Sequence, residues 1–239
     1  MHLSARLLKL ASKVPDDTVV ADIGTDHALL PIYLVSIGRC PRAIAVEAAE
    51  GPFRRAREAI AAFGLEDSID LRFGNGIEVL QPGEVDVAVI AGIGGTQIVS
   101  ILEAQPAVRA SIRRFVLQPT RGAAEVRRFL HQNGYRLCDE ELVPEARQIH
   151  EIIVAEPGVE AIDDEILYEI GPRLLERRDP LLGAFIRERI QHYRRILLQV
   201  EAGQTQRALE ALREFQERIR RLGQVAEQLG GPPMSGGSP

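Results

Sequence analysis

Asp22, Gly24, Asp26, His27 and Glu47 fall, in that order, within the first fifty residues. The stretch VVADIGTDHALLPI is apolar up to Asp22, turns at Gly24 and becomes apolar again after His27. Asp22 and Asp26 supply negative charge around the turn, and His27 supplies a donor. Glu47 lies 23 residues beyond Gly24. An acid at that distance, if it ends a second strand, accepts hydrogen bonds from the two hydroxyls of a ribose. Asn75 stands between Gly74 and Gly76, where its amide can pair with the edge of an adenine ring. Gly92-Ile93-Gly94-Gly95 carries no acid, amide or aromatic. Its glycines let the backbone approach a reacting group, and its carbonyls can accept from an exocyclic amine. Gln118 offers a polar side chain on the acceptor side.

These residues act together only if a scaffold gathers them. Thr18–Ile23, Ala43–Glu47, Ile69–Phe73, Val85–Ala91 and Phe115–Gln118 read as strands, the last cut by Pro119. Leu29–Ile37, Pro52–Phe63 and Ala123–Asn133 read as helices, each with a glycine just beyond its end. Strands alternating with helices predict a parallel sheet covered on both faces. The apolar strand interiors agree with burial on both sides. YRLCDEELV and QIHEIIVAE leave no room for a helix between them and predict an antiparallel hairpin on the sheet edge. Each polar candidate therefore follows the C-terminal end of a strand, where open parallel sheets bind ligands.

After about residue 161 the pattern becomes helical. Leu182, Phe185, Ile186, Ile190, Tyr193, Ile196, Leu197 and Val200 recur at helical spacing. Leu209, Leu212, Phe215, Ile219, Leu222, Val225 and Leu229 follow steps of three and four, as in a heptad seam. Ala202-Gly203 separates the two runs. The expectation is α/β, a Rossmann-like fold with an antiparallel terminal hairpin over 1–157, then a helical coiled-coil domain over 158–229. The segment 230–239, GGPPMSGGSP, reads as a disordered tail. Two adjacent helices can satisfy each other's apolar seams, so a monomer is expected.

A dinucleotide or phosphate site would need GxGxxG or GxxxxGK[ST], and neither occurs. Asp22, Asp26 and Glu47 would repel phosphates. An acidic, glycine-poor first turn suits a ligand carrying an amino group and a sulfonium, which is S-adenosylmethionine. Asp22 or Asp26 can take the amino group, and His27 can donate to the carboxylate or the ribose. The alternative for Asp26-His27 is helix capping, since Asp is a favoured N-cap.

RLLKLASKVPDDTVVADIGTDHALLPIYL, AIAVE, GNGIEVL, AGIGG, VLQP and HEIIVAE together resemble the TrmK family over roughly residues 3–200. DIGTDHALLPI and AGIGG are the distinctive pieces, while AIAVE and GNG are shared by many methyltransferases. The resemblance implies a tRNA methyltransferase that places a methyl group on N1 of adenine 22, with S-adenosylmethionine as donor. It implies a cofactor pocket of Asp22, Gly24, Asp26, His27, Glu47, Asn75 and Gly76, with Gly92 and Ile93 nearby. Ala48, Gly74 and Ala91 complete the expected lining. Asp26, if it faces the acceptor, is the catalytic candidate, stabilising charge on the methylated base. The rival readings are a methyltransferase of another acceptor and a non-catalytic RNA-binding protein.

With 29 basic and 34 acidic residues the chain carries a net charge of −5, which does not advertise nucleic-acid binding. Lys9 and Lys13 are its only lysines, and arginine favours bidentate phosphate contacts. Local clusters are the candidate tRNA contacts: Arg6, Lys9 and Lys13; Arg113, Arg114, Arg121, Arg127 and Arg128; and Arg187, Arg189, Arg194 and Arg195. Gln118, Arg121, Lys9 and Lys13 form the expected substrate set. Cys40 and Cys138 match no metal spacing, the five histidines are scattered, and no zinc site is expected. No apolar run approaches the about 18–20 residues of a membrane span. The first residues are too interrupted by charge for a signal peptide, so a cytoplasmic location is expected.

Overall fold

The computed structural model describes residues 3–146, 148–200 and 206–230. It divides into two compact units, Met1–Ala161 and Ile162–Pro239.

The first unit opens with α1 (Ala5–Ser12), whose Ser4 N-cap accepts from the Leu7 N–H at 3.4 Å. Then come β1 (Val20–Ile23), α2 (Leu29–Ser36), β2 (Ala43–Glu47), α3 (Glu50–Ala62), β3 (Ile69–Phe73) and a 3-10 turn at Gly76–Val79. β4 (Val87–Ile93), α4 (Gly95–Ala104), α5 (Pro106–Ser111), β5 (Arg114–Pro119) and α6 (Ala123–Gln132) follow. The unit closes with β6 (Tyr135–Glu145) and β7 (Gln148–Pro157). The seven strands form one sheet in the order β3-β2-β1-β4-β5-β7-β6. The first five are parallel; β7 runs antiparallel to β5, and β6 antiparallel to β7. The expected edge hairpin is there, with β6 outermost.

The chain moves from β1 to β2 and β3 in one direction, then crosses back to β4 on the other side of β1. In open α/β sheets such a reversal is where the ligand crevice lies, here at the C-terminal ends of β1 and β4. β1 and β2 are buried throughout, as their apolar runs require. One face of the sheet is covered by a core that includes Leu10 and Val14 beside α1, Leu30, Ile32 and Leu34 of α2, and Ala56 and Ile60 of α3. Arg127 of α6 is buried with Glu140 of β6 and Glu151 of β7, donating to them at 2.6 and 2.8 Å. This ion cluster fastens α6 to the hairpin, so Arg127 is a structural cation and not the phosphate contact expected for it.

Three boundaries differ from expectation for physical reasons. α3 begins two residues before Pro52, because a proline is tolerated anywhere in the first turn, where N–H groups lack helical partners. β5 runs through Pro119, which pairs with Ile93 across a bulge that needs no regular ladder at that point. α4 and α5 fill the connection from β4 to β5, where no element was expected.

The second unit is helical: α7 (Ile166–Ile170), α8 (Pro172–Glu176), α9 (Leu182–Val200) and α10 (Gln206–Gln228). Tyr193 of α9 meets Phe215 of α10 at 5.5 Å between ring centroids. Arg189 of α9 and Arg218 of α10 both reach Glu169 of α7. Rising numbers on α9 thus meet falling numbers on α10, and the two helices run in opposite directions. Glu169 is buried and also accepts from the Tyr193 hydroxyl at 2.6 Å. Burial and that carboxylate push the Tyr193 phenol up to about 12. The break at Ala202-Gly203 and the expected tail beyond Gly230 lie outside the described residues.

No described helix is long and apolar enough to cross a membrane. Among the described residues no three His, Cys, Asp or Glu side chains are grouped as a metal would need.

Candidate functional site

The turn after β1 is built from backbone bonds to β2. Gly24 and Thr25 both donate their N–H to the Val46 carbonyl, at 2.9 and 3.0 Å. The Asp26 N–H donates to Glu47 Oε2 at 3.1 Å, and the Ala48 and Ala49 N–H groups donate to Glu47 Oε1 at 3.0 and 2.9 Å. Three donors therefore fix the Glu47 carboxylate at the rim of the crevice. A carboxylate offers about four acceptor positions, so capacity remains for a ribose hydroxyl.

Asp22, next to last in β1, is almost fully buried and accepts from the Thr25 hydroxyl at 2.6 Å. Burial pushes its carboxyl up to about 6, and the negative charge of Glu47 adds to this; Thr25 and the Arg6 cation pull the other way. A buried carboxylate with so little compensation is suited to an incoming cation.

Asp26 and Ala28 both adopt left-handed backbone, with φ of 49° and 54°. Ala28 holds the N-cap position of α2 and offers no side-chain hydrogen bond there. The alternative reading of Asp26 as the helix cap is thus not what the structure shows. The Asp26 carboxylate accepts from Arg55 of α3 at 2.9 Å and lies 3.7 Å from His27 Nε2. Both Asp26 and His27 are about half exposed at the rim. Asn75 is exposed after β3, as the adenine-edge expectation requires, and opens the 3-10 turn.

β4 and β5 pair regularly as far as Ala91 and Gln118, then slip at Gly92 before resuming at Ile93 and Pro119. Gly92 has φ of 80°, a conformation glycine adopts without cost. A bulge of this kind releases backbone groups from the ladder and bends the strand. Three residues on, the chain packs tightly: a Cβ on Gly95 would stand 2.2 Å from the Gly122 carbonyl oxygen. The Gly95 N–H donates to the Arg121 carbonyl at 2.8 Å. Only glycine permits this close approach of the loops after β4 and β5.

Gln118 is fully buried. Its amide accepts from Arg6 Nη1 at 2.8 Å and donates to the Pro119 carbonyl at 3.0 Å. It does not face an acceptor, contrary to expectation; burial at the end of a central strand commits its polar atoms to the protein. Lys9 pairs with Glu141, and Lys13 with Asp139 at 2.9 Å and Glu141 at 2.5 Å. Burial by itself would lower the Lys13 pKa, but the bonds to Glu141 and Asp139 outweigh it and raise it. These lysines fasten α1 to β6, and their charge is spent inside the protein instead of awaiting phosphate. Arg121 is exposed, and its guanidinium has no hydrogen-bond or ion-pair partner among the described residues. Its Nε lies 3.7 Å from where a Cβ on Gly94 would be.

Arg6 is the site residue whose place was not foreseen. Its guanidinium lies 4.0 Å from a Cβ built on Gly92, at the mouth of the crevice. A signal existed: Arg6 stands three residues after buried Leu3 and four before buried Leu10, on the inward face of α1. A charge at such a position needs a partner within the fold. Thr25, which bonds Asp22, was also passed over.

The family model described as "TrmK: tRNA (adenine(22)-N(1))-methyltransferase" matches residues 20–224. The chain belongs to the TrmK family. The tRNA (adenine(22)-N(1))-methyltransferase of Bacillus subtilis is 34% identical to this family member over 95% of the chain and 98% of the relative. The crystal structure of B. subtilis TrmK superposes with a TM-score of 0.87, covering 94% of this chain and 99% of that one. A Streptococcus pneumoniae putative tRNA (m1A22) methyltransferase, solved in complex with S-adenosyl-L-methionine, is 31% identical with a TM-score of 0.81, covering 94% of this chain and all of that one. The TrmK match continues through most of α10, beyond the residue near 200 where the sequence resemblance weakens.

Proposed function

We infer that this chain transfers a methyl group from S-adenosylmethionine to N1 of adenine 22 in tRNA. The observation that carries the reading is the crevice itself. Glu47, fixed by three backbone donors, stands ready for a ribose. Buried Asp22 awaits a cation, and a bulge at Gly92 opens the backbone beside them. These residues fit the cofactor: Glu47 takes the ribose hydroxyls, Asn75 the adenine edge, and Asp22 the ammonium. Ala48, Gly74, Gly76, Ala91 and Ile93 line the path. When bound, S-adenosylmethionine supplies a methyl group made electrophilic by its sulfonium.

Adenine N1 carries a lone pair in the neutral ring, so no base is needed before attack. The chain's task is to bring the two reactants into line. N1 lies on the Watson–Crick edge, and the base must be unpaired or flipped to reach the crevice. Backbone carbonyls freed at the Gly92 bulge are placed to accept from the exocyclic amine. Asp26 is the proposed stabiliser of positive charge on the methylated base, which requires its carboxylate to leave Arg55. Single-turnover rates close to wild type in Asp26→Ala would rule that role out.

For tRNA, the geometry favours Arg121 at the mouth and Arg187, Arg194 and Arg195 on α9. We propose that α9 and α10 form an antiparallel coiled coil within a cytoplasmic monomer, each helix covering the other's apolar seam. The test of the whole reading is incubation with unmodified bacterial tRNA and labelled cofactor, followed by nuclease mapping. Label in 1-methyladenosine at position 22 is expected. Label at another nucleotide, or in small molecules alone, would refute it.

A further inference from the structure

Arg6 reaches the crevice from α1, outside the parallel sheet, and two residues hold it from behind. Its Nη1 donates to Gln118 Oε1 at 2.8 Å and its Nε donates to Glu145 Oε2 at 3.4 Å. Its backbone N–H donates to Glu145 Oε1 at 3.2 Å, in the first turn of α1. Glu145 is the last residue of β6, at the tip of the hairpin. One carboxylate thus seats the N-terminus of α1 and orients the side chain that leaves it. Gln118 is held in turn, because its own N–H group is spent on the Pro119 carbonyl. A guanidinium has five N–H donors in a fixed plane, so these two bonds leave donors directed elsewhere. The cation stands beside Gly92 and acts on the Asp22 carboxylate. Asp22 and Arg6 therefore set opposite charges at the crevice between β1 and β4. That pattern suits the amino-acid end of a ligand, with ammonium toward Asp22 and carboxylate toward Arg6.

We propose that Gln118 and Glu145 are positioning residues, which hold Arg6 as the anchor for the carboxylate at the methionyl end of the cofactor. The proposal rests on the cofactor reading given above. It makes the hairpin tip and the end of β5 determinants of cofactor affinity, although neither touches the cofactor. The rigid link also explains why buried Gln118 keeps a polar side chain at the end of an otherwise apolar strand.

The test is calorimetric titration of the full chain with two ligands. S-adenosylhomocysteine carries the amino-acid end, and 5′-methylthioadenosine lacks it. Gln118→Met keeps the volume and removes the acceptor. Glu145→Gln, at a partly exposed position, guards against misfolding of the buried variant. Each should weaken S-adenosylhomocysteine about tenfold while leaving 5′-methylthioadenosine within about twofold. In an Arg6→Ala background neither change should cost further S-adenosylhomocysteine affinity. Equal losses for both ligands, or unchanged S-adenosylhomocysteine binding, would overturn the positioning role. If the wild-type chain bound neither ligand, the cofactor reading itself would fall.

Discussion

The backbone N–H of Asp26 donates to Glu47 Oε2 at 3.1 Å, joining the turn after β1 to the acid that ends β2. One carboxylate thus ties the loops after β1 and β2 to each other.

Replacing that acid should damage the fold and the site together. Glu47→Ala leaves the N–H groups of Asp26, Ala48 and Ala49 without their acceptor. A loss of about 1–3 kcal/mol is expected in denaturant unfolding. Glu47→Gln keeps one oxygen and should retain most of the stability while binding S-adenosylhomocysteine more weakly. Equal stability of Glu47→Ala and wild type would refute this.

If Asp22 takes the ammonium of the cofactor as proposed, cofactor binding should depend on pH. Its folded carboxyl titrates at about 6, above the ordinary 3.8. Between those values the native state holds a proton that the unfolded chain has released. Stability from this group is therefore greatest in acid and declines as pH rises through about 6. An incoming ammonium favours the ionised form. Affinity should accordingly increase from pH 5 to pH 7, by up to about tenfold per unit below the titration point. Calorimetry in buffers of different ionisation enthalpy should detect proton release at pH 5.5. In Asp22→Asn this dependence should vanish, and its persistence would assign it elsewhere.

Gly95→Ala tests the contact between the two loops behind the crevice. The added Cβ would meet the Gly122 carbonyl oxygen at 2.2 Å, a backbone atom that cannot swing aside. The loops must part, with a melting temperature lower by about 2–12 °C, as for an overpacked core position costing about 1–3 kcal/mol. Methyl transfer should fall as well, because the Gly92 bulge lies three residues away. A variant with normal melting and normal turnover would contradict this packing.

Arg127→Met removes the cation shared by Glu140 and Glu151, all three buried. Breaking a buried ion cluster from one side costs about 3–5 kcal/mol, since a charge is left uncompensated. Chemical denaturation should register the loss. Restoration by lowering the pH toward the carboxylate range is expected, and no such restoration would show that the carboxylates are compensated otherwise.

The basic residues should separate in their response to salt. Arg121→Ala should reduce the slope of log affinity for tRNA against log salt by about 1, as for one lost phosphate contact. Lys13→Met should change the slope much less and lower the melting temperature instead, because its ammonium is already matched by Asp139 and Glu141. Equal slope changes would mean that Lys13 leaves its carboxylates for tRNA.

The linear sequence determined a good deal of this protein. Apolar runs set the central strands β1, β2, β4 and β5, because burial on both faces of a parallel sheet demands such runs, while β3 at the edge carries Asp70 and Arg72. The acidic, glycine-poor DIGTDHA turn and the distant Glu47 marked the crevice, because a phosphate ligand needs the opposite chemistry. The hairpin was legible because QIHEIIVAE follows YRLCDEELV too closely for a crossover helix. What one-dimensional spacing could not decide was which partner each polar side chain meets. Gln118 and Lys13 looked available for substrate, yet Arg6, Asp139 and Glu141 claim them from positions more than a hundred residues away. Arg6 looked like a surface cation, and it stands at Gly92. Asp26 could be read as a site residue or as a helix cap, and spacing did not show that its carboxylate accepts from Arg55 of α3 while Ala28 takes the cap position. Periodicity reports burial, which depends on neighbours along the chain; pairing depends on the sheet order β3-β2-β1-β4-β5-β7-β6, which exists only after long-range closure.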